Sequence, residues 1–355
     1  MKTILYIAPI DWRWIKQRPQ FLAEELSAYY QIHVVYPYAN KRQGLQKKAK
    51  TYLALSRYFT VPSLAGRLPV TGFNAAWSSF QVRRLICRVK PDILWLSMPW
   101  QIDMVLPSFV GRIVYDCMDD YTAIQMDGES SKLLAQEAAL IKRADMVFVS
   151  SENLRQVLAA RYGHRNTVLL RNGYHANWPI QNVATARPSS KKLRVGYFGT
   201  IGRWFDFELL LGSLKRGANV EYHLYGPTEP GVQIPKHPDI IAHGVVEHNQ
   251  IPRVAQMLDA LMMPFVLNEI VVSVDPVKLY EYICLRRPVL CVRYPEVERF
   301  APFVLFYEDV TTFDAQLNAA RMQTLCDVAQ AEAFLYENSW AQRARTAHAA
   351  LERID

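Results

Sequence analysis

The stretch Ala260–Val292 holds the densest chemistry in this chain of 355 residues. Lys278 and Glu281 stand three residues apart, so on a helix both project from one face near its start. Asp275 and Pro276 offer an N-cap and a first helical residue, which predicts a helix from Val277. Unpaired N–H groups and a lysine at a helix N-terminus suit a diphosphate, and Glu281 suits the hydroxyls of a ribose. A surface ion pair has the same spacing, and this stretch alone does not separate the two readings. A second group, Gly199-Thr200-Ile201-Gly202-Arg203, brings two glycines and a cation to a strand-to-helix turn, where backbone can come close to phosphate. The third is the pair Asp119-Asp120, just after an apolar run. Adjacent carboxylates raise one another's pKa, and one at the carboxyl end of a parallel strand is placed as a general base. Helix capping by an aspartate is the plainer alternative. Last, Trp12, Trp14, Lys16, Gln17 and Arg18 crowd the loop from Pro9 to Pro19, a mixture that fits ligand binding and packing equally.

The elements that must position these groups alternate strand and helix. Strands are predicted at Thr3–Ala8, Ile32–Tyr36, Asp92–Ser97, Arg112–Asp116, Met146–Ser150 and Val168–Leu170, with helices at Gln20–Ala28, Gln81–Val89, Glu129–Arg143 and Glu152–Tyr162, the last capped by Ser151. This βα pitch means a parallel sheet with right-handed crossovers, in which ligands sit at the carboxyl ends of strands. From His175 to Lys192 the periodicity stops among Ala, Pro, Ser and Lys, as in a linker. A second α/β pattern follows: strands Arg194–Phe198, Glu221–Tyr225, Ile240–His243, Leu261–Phe265 and Val289–Val292, with helices from Phe207, at Ile251–Leu258 and from Val277. One or two helices over Ala315–Glu337 and a last one over Ser339–Ile354 close the chain. The expected division is 1–173, a linker 174–192, a second domain 193–338 and a terminal helix 339–355.

Composition bounds the possibilities. Half the residues are hydrophobic and 12% aromatic, which excludes a disordered chain. The apolar piece Ile4–Ile10 is short for a signal peptide, and no run of eighteen apolar residues suggests a bilayer span. Five cysteines (Cys87, Cys117, Cys284, Cys291 and Cys326) lack metal-ligand spacing and read as small, mostly core residues of a reducing cytoplasm. A net charge of +8 points to anionic partners. The segment Lys41–Arg67, with Lys47, Lys48, Lys50 and Arg57 among Tyr52, Tyr58 and Phe59, reads as a membrane-surface or polyanion contact, or as a solvated surface segment.

The two halves together resemble GT-B glycosyltransferases, in which two Rossmann-like domains with parallel sheets face each other across a cleft. The likeness rests on Trp14-x-x-Gln17-Arg18-Pro19, Val114-Tyr115-Asp116-x-x-Asp119-Asp120, Leu170-x-Asn172-Gly173, Gly196-Tyr197-Phe198-Gly199-Thr200, Pro276-x-Lys278-Leu279-Tyr280-Glu281 and Asn338-Ser339-Trp340. The motifs are most similar to those of bacterial enzymes that build teichuronic acid, capsule or exopolysaccharide. The resemblance implies a donor site for a nucleotide-diphosphate sugar, UDP being the commonest choice, made by Gly199, Thr200, Gly202, Arg203, Tyr225, Val246, the backbone of Ser273 and Val274, Lys278, Tyr280 and Glu281. It implies Lys278 on the diphosphate and Glu281 on the ribose, and a terminal helix packed on the first domain. The acceptor side would use Trp14, Gln17 and Arg18. Many retaining members carry a Glu-x7-Glu pair; the position eight before Glu281 is Ser273, so the first acid is absent.

The expected activity is transfer of a sugar to a saccharide acceptor without a metal or other cofactor. Asp119 or Asp120 would act as base, and Arg203 and Lys278 would offset charge on the leaving group. The acceptor is expected to be lipid-linked, reached from the cytoplasmic face by a protein resting on an anionic membrane through the basic segment and the Trp12/Trp14 loop, with no nucleic-acid partner. A sugar-nucleotide epimerase of the same fold shares the donor site, and a non-enzymatic carbohydrate or polyanion binder shares the charge. Loss of all sugar-nucleotide binding would favour the binder.

Overall fold

The computed structural model describes residues 1–14, 16–38, 51–60, 71–124, 130–164, 166–175, 178, 180, 192–322 and 327–354. Most of the basic segment 41–67, most of the linker and Cys326 therefore lie outside the described residues. The chain divides into two compact units, one of Met1–Gly173 with Trp340–Asp355 and one of Tyr174–Ser339.

In the first unit the described residues form seven strands: β1 (Thr3–Ile7), β2 (Gln31–Pro37), β3 (Ala54–Tyr58), β4 (Ile93–Leu96), β5 (Arg112–Cys117), β6 (Met146–Val149) and β7 (Val168–Leu169). They pair in parallel in the order β3-β2-β1-β4-β5-β6-β7. Strands β1 and β4 are apolar almost throughout because helices cover both faces of a parallel sheet. Those helices are α1 (Arg18–Leu26), α2 (Thr71–Val89), α3 (Tyr121–Ile124), α4 (Ser130–Arg143) and α5 (Glu152–Tyr162). Ser151 caps α5, its hydroxyl accepting from the Leu154 N–H at 3.2 Å. Order reverses between β1 and β4, so the loops after these strands open into the crevice where such sheets bind ligands.

The second unit contains β8 (Leu193–Phe198), β9 (Val220–Tyr225), β10 (Ile240–Gly244), β11 (Ala260–Met263), β12 (Val289–Val292) and β13 (Val304–Tyr307), parallel in the order β10-β9-β8-β11-β12-β13. Its helices are α6 (Phe207–Lys215), α7 (Ile251–Ala255), α8 (Val277–Leu285), α9 (Val310–Met322) and α10 (Val328–Glu337). Here the order reverses between β8 and β11. The β8–α6 turn, which carries Gly199–Arg203, and the start of α8, which carries Lys278 and Glu281, thus meet at one switch point although about eighty residues separate them.

The final helix α11 (Trp340–Leu351) belongs to the first unit. Trp340 is buried and stacks on Phe21 of α1 at 5.5 Å, while Ala344, Ala347 and Ala350 give α11 a flat buried face against α1. A side chain at Gly173 would strike the Trp340 backbone and ring, so this glycine sets how closely α11 docks.

Three stretches differ from the sequence expectation. Strand β3 lies inside the basic segment, on the sheet edge, where alternating polar residues hide a strand. Strand β13 was not anticipated. Helix α2 begins at Thr71, ten residues before the expected start, because Phe73, Trp77 and Phe80 on its first half face outward and spoil the amphipathic signal.

One buried ion pair ties the first unit together. Arg18 on α1 makes two hydrogen bonds to Asp116 at the end of β5, from Nε at 3.1 Å and Nη2 at 2.7 Å, and a third reaches Asn172 Oδ1 at 3.3 Å. Both charges are out of water, so removing one strands the other. Asp116→Ala is expected to cost about 3–5 kcal/mol in a urea unfolding curve with unchanged slope.

Candidate functional site

Of its expected residues, the second unit arranges Gly199, Lys278, Glu281 and Tyr225 in three clusters. At the centre, Gly199 ends β8 with φ +144, a conformation L side chains rarely adopt. Its Cα face is covered by Lys278: a Cβ added there would lie 2.2 Å from Lys278 Cε and 2.9 Å from Nζ. The ammonium also sits 5.9 Å from the centroid of the Tyr197 ring. Lys278 has no hydrogen bond or ion pair among the described residues. Burial holds it below the ordinary lysine range, and the charge of Glu281 works against that shift. A desolvated cation against a glycine turn, at the first turn of α8, is arranged to receive an anion.

Beside it stands Glu281, whose Oε1 accepts a 2.8 Å hydrogen bond from His248 Nε2. The imidazole in turn stacks on Trp178 at 4.5 Å. His248 and Trp178 were not singled out from sequence, since each lies far from Glu281 along the chain in a segment without a recognisable motif. A lone His near a Glu in space leaves no sequence signal.

The third cluster is a ring column. Tyr225 stacks on Phe198 at 5.0 Å and on His243 at 4.3 Å, and His243 Nε2 lies 3.0 Å from His223 Nδ1. Next to it Gly226 accommodates the neighbouring turn: a Cβ there would fall 1.9 Å from the Gly199 carbonyl oxygen. Thr200 offers its carbonyl to the Tyr197 hydroxyl at 2.8 Å, and Arg203 is exposed, with no polar partner among the described residues.

Five expectations change. Asp275 does not cap α8; Pro276 holds that position, and the buried Asp275 carboxylate pairs with Arg299 instead. Tyr280 points away from Lys278 and Glu281 into the core, as a helical offset of two requires, and its hydroxyl takes a 2.6 Å bond from Arg299. The Ser273 and Val274 amides close a tight turn onto Ile270 and Val271 at 3.1 Å each, so they are spent locally. Gly202 is required for packing, since a Cβ would meet the Trp204 ring at 2.5 Å. Val246 is half-buried on the unit's own core.

In the first unit the two adjacent aspartates part company. Asp120 receives both Arg161 nitrogens, at 3.0 and 2.9 Å, caps α3 by accepting from the Thr122 and Ala123 N–H groups at 3.2 and 3.3 Å, and accepts from the Thr122 hydroxyl at 2.7 Å. Burial would raise its carboxyl, but the bonds from Arg161 and Thr122 overcome this and hold it below the usual range. Asp119 is half-buried and its carboxylate has no hydrogen bond or ion pair among the described residues. Burial lifts it above the ordinary carboxylate range; the Arg18 charge opposes this, and Asp116 and Asp120 add to it. The base-like environment therefore belongs to Asp119. Of the acceptor candidates, Gln17 is exposed at the N-cap of α1 and Trp14 half-buried, whereas Arg18 is buried in its pair with Asp116. Trp12 is buried against Tyr6. Among the described residues no group of three metal-ligating side chains converges, and no helix is long and apolar enough to cross a membrane.

Two parallel α/β units, each with a switch-point crevice, the second furnished with a glycine turn and a cation, define the GT-B fold. Solved structures match it along the whole chain. Sucrose-phosphate synthase from Thermosynechococcus elongatus superposes with a TM-score of 0.71 at 12% identity, covering 100% of this chain and 99% of that one. The Anabaena protein HepE, solved with UDP and glucose, gives 0.67 at 13%, covering 99% and 100%. The lipopolysaccharide outer core galactosyltransferase WaaB gives 0.68 at 12%, covering 99% of each. In sequence the chain is similar to TuaH of Bacillus subtilis (strain 168), a candidate teichuronic acid biosynthesis glycosyltransferase, at 22% identity over 219 residues. That match takes in 55% of this chain and 54% of TuaH, so it spans about half the length of that relative. No protein-family model matches the chain.

Proposed function

We propose that this protein is a glycosyltransferase that moves a sugar from a UDP-sugar to a lipid-linked saccharide acceptor in the synthesis of a bacterial surface polysaccharide. It would work as a peripheral protein on the cytoplasmic face of the membrane. The observation that carries the reading is Lys278, desolvated and without an ionic partner among the described residues, lying on the Gly199 turn at the switch point of the second unit. In this reading the Lys278 ammonium and the Val277 and Lys278 amides at the start of α8 bind the diphosphate, and Arg203 adds charge from the exposed side. Glu281, oriented by His248, accepts from the ribose hydroxyls, and the Tyr225 column walls the donor side. The leaving diphosphate gains its negative charge beside fixed cations and helix amides, which is why no metal is invoked. Asp119 takes the acceptor hydroxyl's proton; burial raises its carboxyl above the ordinary range, which makes it a stronger base than Asp120. The fold shared with HepE, solved with UDP, and the similarity to TuaH support the nucleotide and the pathway class.

The test is incubation with a panel of UDP-sugars and polyprenyl-diphosphate saccharides, followed by mass spectrometry of the lipid fraction. The expected product is the acceptor heavier by one sugar, formed equally with a chelator present. Loss of product with chelator and rescue by manganese contradicts metal independence. A UDP-sugar isomerised without any acceptor identifies an epimerase instead.

A further inference from the structure

The outer face of α2 carries features that neither the core nor the donor site uses. Phe73, Trp77 and Phe80 recur at helical spacing and are 58%, 40% and 50% exposed, so three large rings stand in water on one stripe. Trp77 and Phe80 stack at 5.7 Å, and one turn on, the Arg84 guanidinium lies 6.0 Å from the Phe80 ring. The stripe continues through Arg84 to Arg88, and the nineteen-residue helix contains no acid. Neither Arg84 nor Arg88 has a hydrogen bond or ion pair among the described residues, and the Arg83 Nε–H is buried without an acceptor. Phe80, Arg83, Arg84, Cys87, Arg88 and Leu106 line an open hollow of about 500 Å³, a depression with an apolar floor and a basic rim. Edge strand β3 extends the surface: the exposed Phe59 is fixed beside α2 by hydrogen bonds in both directions with Gln81, at 3.1 and 2.9 Å, and Arg57 reaches over the Phe59 ring. By contrast, the Trp12/Trp14 loop expected to face the membrane has its first ring buried.

Rings that sit at a headgroup boundary, followed along the same face by arginines without acidic partners, complement an anionic lipid surface. We propose that the outer face of α2, from Phe73 to Arg88 with Phe59 beside it, is the membrane-docking surface of this protein. The rings enter the interface, and Arg84 and Arg88 meet lipid phosphates at the rim of the hollow. This rests on the peripheral reading given above and names the surface that reading lacks.

Flotation with vesicles decides it. The full chain is expected to rise with phosphatidylcholine vesicles containing about one-third phosphatidylglycerol and to rise much less with phosphatidylcholine alone or at high salt. Arg84→Glu with Arg88→Glu should weaken partitioning about thirty-fold, and Phe73→Ser with Trp77→Ser and Phe80→Ser at least about tenfold. Bromine-labelled lipid should quench a part of the tryptophan emission that Trp77→Phe removes. All of these side chains are at the surface, so both multiple variants should keep the wild-type melting temperature and its rise with UDP. If wild type itself shows no rise with UDP, the donor-site reading fails while flotation still decides this one. Wild type left at the bottom at low salt overturns the proposal, as does equal flotation of the variants. So does free inorganic phosphate releasing the protein at millimolar level, or a dimer in solution that Trp77→Ser dissociates.

Discussion

Lys278→Met is expected to abolish the rise in melting temperature that UDP gives the wild type and to reduce sugar transfer by about 10²–10³-fold. The unliganded variant should be as stable as the wild type or more so. The reason lies in the sign of the lysine's shift. Its pKa in the folded chain is below the ordinary value, so the folded state carries an unfavourable charge at neutral pH. Stability then rises as pH climbs from the folded value toward that of the unfolded chain, and methionine removes the slope. An incoming diphosphate restores the charge's environment, so binding should take up a proton as pH approaches the folded pKa. Gly199→Ala should reproduce the loss with the lysine still present, because its Cβ would overlap Lys278 Cε and its φ is one that alanine resists. Exposed Arg203→Ala should cost less, about tenfold. Calorimetry of UDP binding reads all three; a Lys278→Met variant that binds UDP like wild type contradicts the assignment.

The two neighbouring aspartates are expected to fail in opposite ways. Asp119→Asn should lower turnover by about 10²–10⁴-fold while leaving UDP binding intact, as the loss of a general base does. Its folded pKa is raised, so its ionised form destabilises the fold as pH rises through the window above the usual aspartate value, and the amide should melt slightly higher at neutral pH. The wild-type rate should fall on the acid side with a midpoint above that window's lower edge, and the variant should lack this limb. Asp120→Asn should instead lower stability by about 1–3 kcal/mol, since Arg161 loses a charged partner through two bonds. The Asp120 contribution is present above the ordinary aspartate value and is lost as pH falls through its depressed folded value. Urea curves and pH–rate profiles on the two variants check this; a pH–rate limb unchanged in Asp119→Asn contradicts the base assignment.

What was legible in the sequence was periodicity and local turn chemistry. Apolar runs gave the two parallel sheets, Ser151 gave a cap, and Gly199 and Lys278 could be expected side by side because both follow strands on either side of a switch point. What was hidden depends on distance in space. Asp275 has the right type and place for a cap, yet Arg299 on another segment claims it. Tyr280 sits inside a motif but on the far side of its helix, and His248 reaches Glu281 from thirty-three residues away. Asp119 and Asp120 are indistinguishable until Arg161 is seen to hold only the second. Helix α2 was half missed for the reason that makes it interesting: its rings point outward, which a core-forming pattern does not anticipate.

The most direct measurement is a thermal-shift panel of UDP, GDP, ADP, CDP and dTDP on the wild type and Glu281→Ala. A ligand that binds only the native state raises its melting temperature by mass action. The expected result is a rise with UDP in the wild type that is much smaller in the variant, with little response to the other nucleotides. No rise with any nucleotide would mean that the Gly199–Lys278 turn is not a nucleotide site, and would leave a binding protein in place of a transferase.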